Sequence, residues 1–84
     1  MFDLYMTVRS VTRGQKGSDA LGRAGIGHRL LRAPRSIAPG GCAYALALAR
    51  RDGTGAVGVL DRAGVTVEER WLREPGGAFR RWGQ

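Results

Sequence analysis

The chain has 84 residues, of which 43% are hydrophobic and 25% are charged, and its formal net charge is +7. This length allows one domain with a modest core but cannot enclose a substrate pocket together with a cofactor. It argues against a large multi-step enzyme and leads us to expect no cofactor. No apolar run approaches the roughly 20 residues that span a bilayer, so we predict no membrane segment.

The first half of the chain predicts a strand followed by a helix. Apolar and polar residues alternate over residues 2–8, which is typical of a half-buried strand. Ser10 or Thr12 can cap a helix that runs to about Ala24 and stops at Gly25. Its expected inner stripe is Val11, Gly14, Gly17 or Ser18, Leu21 and Ala24. Interior glycines cost about 1 kcal/mol each relative to alanine, so this helix must pack closely against a sheet.

The remaining pattern predicts three more strands and a second helix. In residues 42–49 every second residue is alanine, and the residues between them are Cys42, Tyr44, Leu46 and Leu48. This period of two favours a strand despite the helix propensity of alanine. Thr54 can cap a short helix that ends at Gly64, because apolar residues recur after it at helical spacing. We therefore predict strands at residues 2–8, 26–32, 42–49 and 65–73, and helices at about residues 10–24 and 54–64.

The order of these elements predicts the fold. Strand, helix, strand, strand, helix, strand in one short α+β domain indicates a ferredoxin-like βαββαβ sandwich, a four-stranded antiparallel sheet with both helices on one face. We assign residues 1–74 to this domain. Residues 75–84 show no period, and we predict a C-terminal tail that is loose or packs only through Phe79 and Trp82.

The candidate functional residue is Cys42, the only cysteine. It ends a segment with two prolines, two glycines and two arginines, a composition that predicts a loop flanked by cations. Such an environment lowers the pKa of a thiol and exposes it to a reaction partner. Arg35, together with Arg32, could stabilise the thiolate, and the amides of Gly40 and Gly41 could form a small anion-binding nest.

The same cysteine bears on compartment and on metals. One cysteine cannot form an internal disulfide, and the N-terminus opens with Phe2 and Asp3 where a signal peptide would be basic and then apolar, so we predict the cytoplasm. A single histidine, His28, and a single cysteine cannot build a zinc site, and we predict no bound metal. His28 itself is expected to be a surface or edge residue of the second strand.

Four short strings together resemble a known family. They are residues 9–12 (RSVT) before the first helix, 24–26 (AGI), 33–37 (APRSI) and 41–43 (GCA) before an apolar strand. This pattern resembles the small selenium/sulfur carrier-like proteins, long catalogued as a domain of unknown function, over about residues 2–73. The chain departs from the family pattern of Thr-Pro-Arg and Cys-Gly at Ala33, Gly41 and Ala43.

The resemblance implies a carrier that works with two protein partners, and therefore a carrier or binding protein in preference to an enzyme with turnover. Cys42 would hold sulfur or selenium as a persulfide or selenosulfide, receiving it from a donor protein and passing it to an acceptor enzyme. A carrier thiol must have no second cysteine nearby, because a second thiol would resolve the adduct into a disulfide. Sulfur and selenium stay equally open.

Two other functions also stay open. Cys42 could be a small buried hydrophobe at the start of an apolar strand, in which case the domain would be a non-enzymatic interaction module that docks a partner on its sheet. The positive charge keeps a nucleic-acid-binding domain as a third, less favoured prediction. Thirteen of the fourteen basic residues are arginine, scattered along a Gly- and Ala-rich chain as in a GC-rich genome, and the aromatic residues do not interleave with them. A homodimer through the sheet is equally open.

Overall fold

The computed structural model of the protein describes residues 1–40 and 43–83. It contains five strands, which are β1 (Leu4–Val8), β2 (His28–Arg32), β3 (Tyr44–Leu48), β4 (Glu69–Arg73) and β5 (Phe79–Arg81). Its two helices are α1 (Val11–Arg23) and α2 (Gly53–Arg62), and a 3₁₀ turn (Arg50–Asp52) precedes the second. The predicted small α+β fold with two helices is confirmed.

The five strands form one antiparallel sheet in the order β2-β3-β1-β4-β5. Strand β1 lies at the centre, where Met6 is opposite Leu46 of β3 on one side and Arg70 of β4 on the other. The prediction of four strands is wrong by one, since β5 adds a further strand beside β4.

The fifth strand belongs to a hairpin in the segment predicted to be a tail. The Glu74 amide donates to the Ala78 carbonyl and the Gly77 amide donates to the Glu74 carbonyl, each at 2.8 Å. Gly77 turns the chain with a φ of 95°, in the left-handed region that favours glycine. Strand β5 has three residues, too few to show an alternating pattern, which is why the sequence analysis missed it.

Helix α1 begins and ends where the sequence predicted. The Ser10 side chain accepts a hydrogen bond from the Arg13 amide at 3.2 Å, and Gly25 follows the helix with a φ of 75°. A Cβ atom built on Gly14 would lie 2.6 Å from Cδ1 of Leu30, so the predicted close packing against the sheet is confirmed. The expected stripe is wrong at its two ends, because Val11 is 41% exposed and Ala24 is also exposed, whereas Ala20 is buried.

Two boundaries in the second half differ from the prediction. Helix α2 starts at Gly53, one residue before the predicted cap Thr54. Strand β4 starts only at Glu69, because the preceding residues first complete the end of α2: the Val65 amide donates to the Leu60 carbonyl at 2.9 Å. The predicted strand at residues 65–73 therefore begins four residues too early.

The hydrophobic core lies between the sheet and the two helices. Its fully buried large side chains come from β1, β3, α1 and α2, namely Leu4, Met6, Val8, Leu46, Leu48, Leu21 and Leu60. Successive side chains of a strand point to opposite faces, so the other face of the sheet carries Tyr5, Thr7, Arg29, Leu31, Ala45, Ala47, Glu69, Trp71, Arg73, Phe79 and Arg81. We refer to this side as the open face. Trp71 is half-buried there.

Neither α1 nor α2 combines the length and the apolar character that crossing a bilayer requires.

Candidate functional site

The loop before Cys42 is folded back on itself and anchored at both described ends. The Ala33 amide donates to the Ala43 carbonyl at 3.0 Å, which adds one rung to the pairing of β2 and β3. The Ile37 and Ala38 amides both donate to the Pro34 carbonyl at 3.1 Å, forming a tight turn. Ile37 is 6% exposed and so fixes the loop to the body of the protein. Gly41 and Cys42, the predicted carrier residue, lie outside the described residues.

A groove of about 410 Å³ runs beside this loop, and we call it the loop groove. One side is formed by the loop and the approach to β3, with Ile37, Ala38, Gly40 and Ala43. The other side is formed by residues 7–9 at the end of β1 and residues 68–69 at the start of β4. The two described residues that flank the predicted site, Gly40 and Ala43, therefore face the same space.

The far side of the loop groove carries one cation and a rigid hydrogen-bonded seam. Arg9 Nη2 lies 3.7 Å from Glu68 Oε1, and the Arg9 side chain is 74% exposed. Such a surface ion pair contributes about 0–1 kcal/mol, so Arg9 can leave it for another anion at little cost. Thr7 is buried, and its hydroxyl donates to the Glu69 carbonyl at 3.3 Å and accepts from the Glu69 amide at 3.0 Å. This seam fixes β4 against β1 at the floor of the groove.

The predicted supporting groups divide between the groove and its surroundings. Gly40 lines the loop groove, and a Cβ atom built there would meet nothing within 4 Å. Arg35 is exposed in the turn, and the Arg32 guanidinium carbon lies 5.6 Å from the centre of the Tyr44 ring. Neither arginine lines the groove. Whether Arg32, Arg35 and Gly41 support a thiolate stays a prediction.

The cation that does line the groove, Arg9, was given no role by the sequence analysis. Strands β1 and β3 pair so that Val8, the last residue of β1, is opposite Tyr44. Arg9 follows β1 directly and is therefore level with Ala43, the residue before β3. Arg9 is the first residue of the string at residues 9–12, which belongs to the family pattern. That string does not show where Arg9 lies, because its position beside the loop follows from the strand register.

His28 has a structural role between α1 and the edge strand β2. Its Nε2 lies 2.6 Å from the Ser18 hydroxyl and its Nδ1 lies 2.9 Å from the Ile26 carbonyl oxygen. A carbonyl can only accept, so Nδ1 carries a proton, and in the neutral ring Nε2 then accepts from the Ser18 hydroxyl. The prediction of an edge residue is confirmed, and its contacts tie helix to strand. Among residues 1–40 and 43–83, no cluster of His, Cys, Asp or Glu could hold a metal ion.

Comparison with known proteins gives one match. A family model described as "Putative Se/S carrier protein-like" matches residues 3–72 of the 84-residue chain. No curated protein and no solved structure matches the chain. The matched stretch runs from the residue before β1 into β4, so it contains the whole of the loop groove and ends before β5. The chain therefore belongs to the family of Se/S carrier-like proteins.

Proposed function

We propose that this protein is a sulfur or selenium carrier that holds the chalcogen on Cys42 and moves it between a donor protein and an acceptor protein. One observation carries the proposal: in a chain of the Se/S carrier-like family, the described neighbours of Cys42, Gly40 and Ala43, line an open groove. A carrier needs access for two partners in turn, and a groove at the surface supports such access.

The transfer requires no oxidant, reductant or cofactor. The Cys42 thiolate attacks the outer, sulfane sulfur of a donor persulfide, a new S–S bond forms, and the donor thiolate leaves with the electron pair of the broken bond. The persulfide proton stays on the transferred sulfur. In the second step an acceptor nucleophile attacks that same sulfur and the Cys42 thiolate is released, so the carrier returns to its starting state.

Two features of the chain favour this cycle. The sequence has one cysteine, so no second thiol within the protein can attack the adduct and release the sulfur as sulfide. Arg9 offers a guanidinium on the wall of the loop groove, which Glu68 and Glu69 also line; when Arg9 leaves Glu68, its positive charge would favour a thiolate or persulfide anion over the neutral form. Arg35 and Arg32 are second candidates for this role, from the loop side.

The architecture and the compartment form part of the same proposal. The strand order β2-β3-β1-β4 of the first four strands, with α1 and α2 on one face, supports a ferredoxin-like sandwich that β5 extends. A free thiol that must stay reduced between transfers favours the cytoplasm.

The decisive experiment measures intact mass after exposure to a chalcogen donor. The native chain and Cys42→Ser are each incubated with inorganic polysulfide or with selenodiglutathione, and the excess is removed. We expect the native chain to gain sulfur from polysulfide and a selenium–glutathione adduct from selenodiglutathione, whereas Cys42→Ser gains neither. Equal mass gains in the two proteins after both treatments, or no gain in either, would refute the carrier.

The ionisation of the thiol is tested separately by the pH dependence of iodoacetamide alkylation. A carrier thiol should react with a transition below the free-thiol pKa of about 8.5, because the thiolate is the reactive form. Arg9→Gln should move that transition upward if the groove cation stabilises the thiolate, and Arg13→Gln on the exposed side of α1 is the matched control. No labelling of the folded native chain would indicate a structural cysteine and an interaction module.

A further inference from the structure

The open face of the sheet contains another depression, whose lining shares no described residue with the loop groove. It has a volume of about 340 Å³, and its walls include Phe2, Tyr5, Arg29, Leu31 and Arg73. Arg29, Ala47 and Tyr5 are successive neighbours across β2, β3 and β1. Because Ala47 is small, it forms a low floor between the two longer side chains. We call this site the open-face pocket.

The two arginines of the open-face pocket are not neutralised within the described part of the chain. Arg9, Arg80 and Arg81 each lie within 4.0 Å of a glutamate oxygen, but Arg29 and Arg73 form no such ion pair with a described residue. Both are exposed, and the described lining of the pocket contains no carboxylate. In a chain of net charge +7 the lining of this pocket therefore favours an anionic ligand over a cationic one.

The third component of the open-face pocket is the aromatic ring of Tyr5, which is fixed by a neighbouring ring. Tyr5 packs against Phe79 in an edge-to-face arrangement, with ring centres 5.2 Å apart and an angle of 90° between the planes. Trp71, the neighbour of Tyr5 on β4, is covered by the Arg81 guanidinium at 4.7 Å from its ring centre. Tyr5 and Phe2 both border the pocket, and Tyr5, which is fixed by Phe79, can offer a surface to a planar ligand.

We propose that the open-face pocket binds single-stranded nucleic acid. Arg29 and Arg73 would contact successive phosphates and Tyr5 would stack against a base, the combination of cationic and aromatic groups by which sheet surfaces take up unpaired strands. An acidic protein would also satisfy the arginines, but a nucleotide supplies both an anionic group and a planar base in every repeating unit. Residues 5, 29 and 73 are far apart in the sequence and are brought together only by the strand order, so the sequence analysis found no interleaving of rings and arginines.

The test is a fluorescence-anisotropy titration of the full chain with a labelled oligouridine at about 50 mM and about 200 mM salt. The variant Arg29→Ala/Arg73→Ala removes both proposed phosphate contacts. Its control, Arg13→Ala/Arg23→Ala, removes the same charge from exposed positions on α1, on the other side of the sheet. All four side chains are exposed, and matching thermal melts will establish that both variants fold.

We expect the native chain to bind with a salt dependence that the pocket variant reduces. Each lost phosphate contact on a single strand lowers the slope of log K against log salt by about 0.7, so the pocket variant should lose about 1.4, with at least a roughly ten-fold loss of affinity at low salt. The control variant should keep the native slope. Tyr5→Leu should weaken binding by at least about five-fold without changing the slope, since stacking does not release counterions.

Three results would overturn the proposal. They are no binding at about 50 mM salt, equal losses in the pocket and control variants, and unchanged affinity in Tyr5→Leu. The second would indicate a general attraction of the basic surface for polyanions. The third would show that no base stacks on Tyr5. An amide NMR titration provides an independent map, in which shifts confined to β1, β2, β3 and the end of β4 support the pocket and shifts confined to α1 contradict it.

Discussion

Replacing Gly53 by alanine should destabilise the protein, although alanine is usually the better helix residue. Gly53 is buried at the start of α2 with a φ of −58°, which is ordinary helical backbone, so the effect of the change is steric. A Cβ atom there would lie 2.6 Å from two ring atoms of Trp82 and 2.8 Å from Cδ2 of Leu4. Optimal contacts between carbon atoms are about 3.5–4.0 Å, so the added methyl group overlaps its neighbours by about 1 Å.

The expected magnitude follows from this overlap. Overfilling a packed site costs about 1–3 kcal/mol, and removing a helical glycine returns about 0.5–1 kcal/mol, which leaves a net loss centred on about 1 kcal/mol in the free energy of unfolding. For a domain of this size, that corresponds to a decrease in Tm of about 4–8 °C. Gly55→Ala is the matched control, because a Cβ atom at this exposed position of the same helix would meet nothing within 4 Å. It should raise Tm by about 2–8 °C.

Urea denaturation and calorimetry on the two variants test the reasoning, and a double variant identifies the cause. If Trp82 is the obstacle, then Gly53→Ala should cost less in a Trp82→Ala background than in the native chain, and the two changes should be non-additive. Equal stability changes for Gly53→Ala and Gly55→Ala would refute the steric argument. Strict additivity with Trp82→Ala would show that the indole ring is not the group that must move.

Three further substitutions test other contacts. Ser18→Ala should lower the free energy of unfolding by about 0.5–1.5 kcal/mol in urea titrations, because it removes the hydroxyl 2.6 Å from Nε2 of His28, whereas Ser36→Ala in the exposed turn should change it little. Leu60→Ala should cost about 2–5 kcal/mol, since this side chain is 1% exposed in the core, and a smaller loss measured by calorimetry would mean that the site collapses. Gly25→Ala should cost about 1–2 kcal/mol because its φ is 75°, and an unchanged Tm would contradict that origin.

The repeating patterns of the sequence predicted the core of the fold well. Alternation in residues 42–49 predicted β3, and the structure places Leu46 and Leu48 in the core as this pattern requires. The helical spacing after residue 54 predicted α2, whose Ala56 and Leu60 are buried. These elements were predictable because burial of one face imposes a period, and a period is visible in a single sequence.

The missed features depend on single contacts between distant residues. Strand β5 exists because a turn at residues 75–77 returns three residues to β4, and neither its length nor its composition produces a period. Arg9 enters the loop groove because β1 pairs with β3 in one particular register. The grouping of Tyr5, Arg29 and Arg73 likewise follows from the strand order, which local patterns do not encode.

The two outer strands of the sheet determine how this protein behaves at high concentration. Strand β5 has only three residues, of which Arg80 and Arg81 are charged, and the other border, β2, carries Arg29 and Arg32. Short, cationic edge strands repel one another and disfavour edge-to-edge pairing between the sheets of two molecules. Stacking of molecules into fibrils should therefore be slowest in dilute buffer and should accelerate when added electrolyte masks the repulsion.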